Sequence, residues 1–191
     1  EVNLDGNIGN GKAQLLFQYL NAKKEKGVYL GANAALGRRG IRMKFFPENP
    51  ILVYRPFHLN ERNYLYLADR GRIYGDVRLF DDQGTGIHFY TNREDTIADQ
   101  EMTVELSRID LKQFKKVLPY LPDVEGWLGG SLHYVDSEGQ MMLSADMNLD
   151  NFVYEKSPLG NWTMSGAYLP GDNNAHHVDG FITYNDQEII Y

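Results

Sequence analysis

The sequence contains no cysteine. That excludes disulfides, thiolate metal sites and cysteine nucleophiles. It has no apolar run near the ~20 residues that span a bilayer as a helix. It shows no signal peptide, no low-complexity tract and no exact repeat. Catalytic signatures are also missing. There is no Gly-x-Ser-x-Gly elbow, no P-loop and no His-Glu-x-x-His. Gly6, Gly9 and Gly11 are spaced too loosely for a dinucleotide fingerprint, and no βαβ pattern surrounds them. His176-His177 is the one histidine cluster, but neighbours on a strand point to opposite faces and make a poor ligand pair. Asp81-Asp82 and Asp95…Asp99 lack the full calcium-loop pattern, so turn formation accounts for them better. No metal, cofactor or enzymatic activity is expected.

Net charge is −7, and it is unevenly spread. Residues 1–50 carry eight Lys/Arg against four Asp/Glu, whereas 51–191 carry eleven against twenty-two. So acidic a chain lacks the electrostatic footprint of a nucleic-acid binder.

What the chain has is alternation. Aromatics are 13% of its 191 residues, with 13 Tyr and 9 Phe, a bias toward strands. Ile41, Met43 and Phe45 alternate with Arg42 and Lys44; Met102, Val104 and Leu106 alternate with Thr103, Glu105 and Ser107. The longest such run is Met141, Leu143, Ala145, Met147 and Leu149. Residues 12–20 fit either period but read better as a strand, through Ala13, Leu15, Phe17 and Tyr19. Turn signals recur about every ten residues, as at Asp81–Gly84, Asp136–Gly139, Ser157–Asn161 and Pro170–Asn174. This spacing predicts a meander of antiparallel hairpins rather than βαβ units. One segment differs. Leu111, Phe114, Val117, Leu118 and Leu121 recur at helical spacing behind Asp110, a good N-cap, and Pro119 and Pro122 stop them. The prediction there is a helix of two to three turns near 111–118.

Pleating places Leu128, Leu132 and Tyr134 on one face with Met141, Leu143, Ala145, Met147 and Leu149. Phe152, Trp162 and Met164 are expected to extend it. Such a stripe suits a sealed sandwich or barrel core, as in a binding module for glycan or a small lipid. It equally suits an open apolar groove. Methionine fits both, being polarizable and adaptable.

Residues 108–152 resemble the conserved region of TamB-like proteins, the translocation and assembly module proteins of the AsmA-like family. The matching pieces are Leu118-Pro119-Tyr120-Leu121, then Val124-Glu125-Gly126-Trp127-Leu128-Gly129-Gly130-Ser131-Leu132, then Gly139 and Leu143 to Phe152, with Pro158-Leu159-Gly160 following. Upstream, Pro56-Phe57-His58-Leu59-Asn60, Tyr64-Leu65-Tyr66-Leu67 and Gly75–Leu79 resemble another passage of the family, with Phe57 at a tryptophan position. The likeness covers roughly residues 45–191. It implies a mainly β fold, a curled antiparallel sheet forming an open apolar groove (a β-taco or half-barrel). It implies a single module over 1–191, excised from a longer periplasmic protein anchored in the inner membrane of a Gram-negative bacterium. The implied role is outer-membrane biogenesis. The implied cargo is phospholipid acyl chains or nascent outer-membrane protein, with an outer-membrane Omp85-type barrel as partner.

Overall fold

The computed structural model describes residues 1–91, 99–171 and 175–190. Strands dominate, all in antiparallel ladders. The chain divides into two compact units, Glu1–Thr91 and Asn92–Tyr191.

The first unit holds β1 (Val2–Gly9), β2 (Lys12–Leu20), β3 (Lys26–Gly37), β4 (Gly40–Leu52), β5 (Arg55–Pro56), β6 (His58–Leu59), β7 (Tyr64–Ala68), β8 (Ile73–Phe80) and β9 (Gly86–Tyr90). Its ladder runs β1-β2-β3-β4-β7-β8-β9, with β5 on β4 and β6 on β8. Residues 12–20 are a strand, as the alternation predicts. Registers such as Gly6–Leu15–Ala32–Phe45 and Ile8–Ala13–Ala34–Met43–Leu65 put apolar residues on one face. Phe57, Leu59 and Leu79 form a small buried core there, packed by Phe45, Leu52 and Val77.

The second unit holds β10 (Gln100–Asp110), α1 (Leu111–Phe114), β11 (Val124–Ser137), β12 (Gln140–Tyr154), β13 (Ser157–Pro170), β14 (His176–Tyr184) and β15 (Gln187–Ile190), its strands paired in chain order. In neither unit do the first and last strands pair, so the sheet is open and does not close into a barrel.

Two-residue turns with both residues at positive φ join several strands: Asn10-Gly11, Glu138-Gly139, Glu155-Lys156 and Asn185-Asp186. This geometry matches the right-handed strand twist. The turn predicted at Ser157–Asn161 is instead part of β13, and the chain reverses two residues earlier, at Glu155-Lys156. Residues 172–174 of the predicted Pro170–Asn174 turn lie outside the described residues. Val53-Tyr54 makes the same kind of turn, with φ of 51° at Val53, where a β-branched side chain is strained. Tyr54 is held edge-on to Tyr19 at 6.4 Å. We therefore expect Val53→Asn to stabilise the chain by about 0.5–1 kcal/mol, since asparagine tolerates this conformation. A urea midpoint that falls instead would show that the Val53 side chain matters more than its strain.

The helix is shorter than predicted. Asp110 does cap it, its carboxylate accepting from Lys112 N at 3.1 Å. But regular helix ends at Phe114, and the chain continues to Leu121 through tight turns, Lys116 N bonding Gln113 O and Val117 N bonding Phe114 O. Pro119 disfavours helical geometry at Leu118, which removes the predicted second turn.

Candidate functional site

The second unit carries the predicted stripe, and its register assembles the stripe row by row. In one row Ile109, Leu128, Leu149, Trp162 and Tyr184 stand side by side across five strands. The next row is Leu106, Gly130, Met147, Met164 and Ile182. Then come Val104, Leu132, Ala145, Gly166 and Gly180, followed by Met102, Tyr134, Leu143, Tyr168 and Val178. None of these positions is charged. Met141 sits one row further, opposite Asp136, where the face turns polar.

Bulges keep the face continuous. On β12 the odd positions end at Leu149, and Phe152 has the wrong parity. An extra residue, Asn151 with φ 52°, is inserted there, and Phe152 returns opposite Gly160, two residues from Trp162 on the same face. On β10 an irregularity at Ser107–Arg108, with Arg108 at φ 46°, moves the apolar series from Leu106 to Ile109. Each bulge also bends its strand and adds twist. Gly130 is required by its backbone: at φ 135°, a Cβ there would lie 2.1 Å from Asp146 O.

The opposite face is mixed, carrying Trp127, Val135, Met142, Leu169 and Phe181 among polar and charged residues. Ser131 pairs with Asp146, and His133 with Ser144. Thr103 Oγ1 and His133 Nδ1 are 2.9 Å apart, and Ser165 Oγ donates to Asp146 Oδ1 at 2.5 Å. Around α1, the Lys112 ammonium donates to Glu125 at 2.7 Å, and that carboxylate holds its pKa above the ordinary lysine value. Lys115 pairs with Asp123. These contacts tie the connection 111–123 to the start of β11.

Exposure separates this face from a sealed core. Leu132, Leu143 and Met164 are 39%, 41% and 45% exposed. Among the described residues of this unit no Leu, Ile, Val, Met, Phe, Tyr or Trp side chain is buried. Trp162 satisfies its one polar atom locally, Nε1 donating to Leu159 O at 2.7 Å, and packs 5.1 Å from Tyr184. Its ring therefore joins the face without leaving an unpaired donor. No protein-family model, curated protein or solved structure matches the chain.

The other candidate groups do not converge. Among the described residues no three metal-ligating side chains come together. His176 and His177 fall on opposite faces by register, and His176 Nδ1 lies 2.6 Å from the Tyr168 hydroxyl. Asp81 builds a turn: its Oδ1 accepts from Gln83 N and Thr85 N, and Oδ2 lies 2.5 Å from Arg55. Asp95 lies outside the described residues. Sequence reasoning missed how far the face extends. Val104, Tyr168, Ile182 and three glycines belong to it, but only strand pairing places them there.

Proposed function

We propose that this chain is a periplasmic segment of a TamB-like protein in outer-membrane biogenesis, whose apolar sheet face shields apolar cargo from water. The observation that carries this reading is the uncharged face of the second unit, left half-exposed with no buried layer over it. A sealed sandwich core would also produce such rows, but it would bury Leu132, Leu143 and Met164.

The physics suits transit. Each CH₂ of an acyl chain covered by the face gains about 0.8 kcal/mol. The four rows hold no charged anchor, so no position binds far better than the next. A chain can then slide between rows, while the reverse face carries charged groups such as Asp146 and Asp179 that stay in water. Phospholipid is the favoured cargo. A nascent outer-membrane strand, with its own alternating apolar side, is the second. An Omp85-type barrel is a fitting outer-membrane partner.

Solvent extraction and mass spectrometry of the purified protein test the reading. Co-purified phospholipid in stoichiometric amount is the expected result. A clean protein that takes up no lipid from vesicles would sink it.

A further inference from the structure

The first unit carries a different surface at one end of its ladder. Three turns sit side by side there: Asn10-Gly11, Arg38-Arg39 and the single 3₁₀ turn Asp69–Gly71. Backbone bonds hold them together, Leu36 N donating to Gly11 O at 2.7 Å and Asp69 N to Arg39 O at 2.9 Å. The Tyr66 hydroxyl also donates to Arg39 O, at 3.0 Å. Their relative positions are therefore fixed by the sheet.

Five exposed cations collect at this end: Lys12, Arg38, Arg39, Arg42 and Lys44. Register aligns Lys12, Ala35 and Arg42 on the face away from the apolar one, and Lys44 follows Arg42 by one pleat. Among the described residues none of the five has a carboxylate partner. Arg42 instead lies 4.7 Å over the Tyr64 ring. Elsewhere Lys24 pairs with Glu1, Lys112 with Glu125 and Lys115 with Asp123, while Lys23, Lys26, Lys116 and Lys156 have no carboxylate partner among the described residues. Five unpaired cations thus gather at one end of the first unit on a chain of net charge −7. The strand ends beside these turns present apolar side chains on the sheet's other face. Ile8 is 81% exposed and Leu36 is 67% exposed, next to Ile41 and Leu67.

We infer that this end docks on the surface of an anionic phospholipid bilayer. Headgroup phosphates complement the five cations, and Ile8 and Leu36 enter the boundary between headgroups and acyl chains. A soluble phosphate would use the cations but leave both apolar side chains in water. Asp69 lies at the same end and opposes this attraction by one charge. The surface shares no residue with the apolar face proposed to hold cargo, so the two readings fail independently.

Vesicle flotation of the 191-residue protein tests the inference, with phosphatidylglycerol-containing vesicles against pure phosphatidylcholine. The expected result is binding to the anionic vesicles alone, abolished near roughly 0.5 M salt as the charges are screened. Arg38→Gln with Arg39→Gln should weaken it about 25-fold, at about five-fold per cation removed. Leu36→Ser should weaken it several-fold. If the turn variant alters the thermal melt, Lys12→Gln with Lys44→Gln makes the same test on the strands. Equal binding to phosphatidylcholine, or indifference to both cation pairs, overturns the inference. So does duplex DNA bound as tightly with no dependence on Leu36, which would mark a general polyanion site.

Discussion

Leu143→Arg or Met147→Arg in the intact protein is expected to leave a folded, normally abundant protein that has lost its function. Leu143 is already half in water between Tyr134 and Tyr168, so little burial is lost on replacing it, about 1 kcal/mol or less. Arginine lays its stem along the apolar surface and keeps its guanidinium hydrated. Cargo changes that balance. An acyl chain crossing this row must strip water from an unpaired charge, at a cost of several kcal/mol. Cargo affinity should then fall roughly 100-fold or more, since each 1.4 kcal/mol is a factor of ten. The measurements are protein abundance, thermal melt and outer-membrane integrity. Insoluble or degraded variants would mean the face is sealed in the working protein. Stable variants with an intact outer membrane would mean that this segment handles no apolar cargo.

Phe57→Ala is expected to do the reverse, damaging stability more than surface chemistry. Phe57 is 8% exposed and meets Leu59 and Leu79 in the buried core of the first unit. The chain around it is fixed by Phe57 N donating to Pro50 O at 2.9 Å. Truncating a buried phenylalanine costs about 3–5 kcal/mol. So small a core has few neighbours to close the cavity. For a unit of this size that is a fall of roughly 15–25 °C in melting temperature. Thermal unfolding followed by amide exchange in the first unit measures it. A shift of only a few degrees would show that strand pairing, not this core, holds the unit together.

These two substitutions also mark what the sequence discloses. Alternation in 141–149 was enough to place Leu143 and Met147 on one face, because pleating fixes parity within a regular strand. Parity fails at a bulge, and the residues that made the bulges, Arg108 and Asn151, carried little warning. Asparagine tolerates positive φ; arginine gives no such hint. The turn after β12 falls two residues before the predicted position because Pro158 and Gly160 carry turn chemistry yet sit in a strand beside another irregularity. The spacing predicts more helix than forms because apolar residues recur after Phe114 although Pro119 limits the backbone. The core of the first unit was hidden for a different reason. Leu59 lies on a two-residue strand and Phe57 is the single residue linking two such strands, pieces too short to show any period. Whether an apolar stripe is covered depends on what packs above it, which no local pattern contains.

Pairing in chain order has a further consequence. From β10 to β15 every strand bonds to its neighbour in sequence, and β11–β12, β12–β13 and β14–β15 are joined by two-residue turns. Closing such short loops costs little entropy, so ordering can advance hairpin by hairpin as the chain is made. Stability then accumulates from strand-to-strand interfaces, as in a repeat array, with no distant contact needed to lock the whole. Gaining or losing a hairpin would lengthen or shorten such an array without redesigning it. Each strand adds about 4.8 Å of width, and with it one more column of apolar side chains.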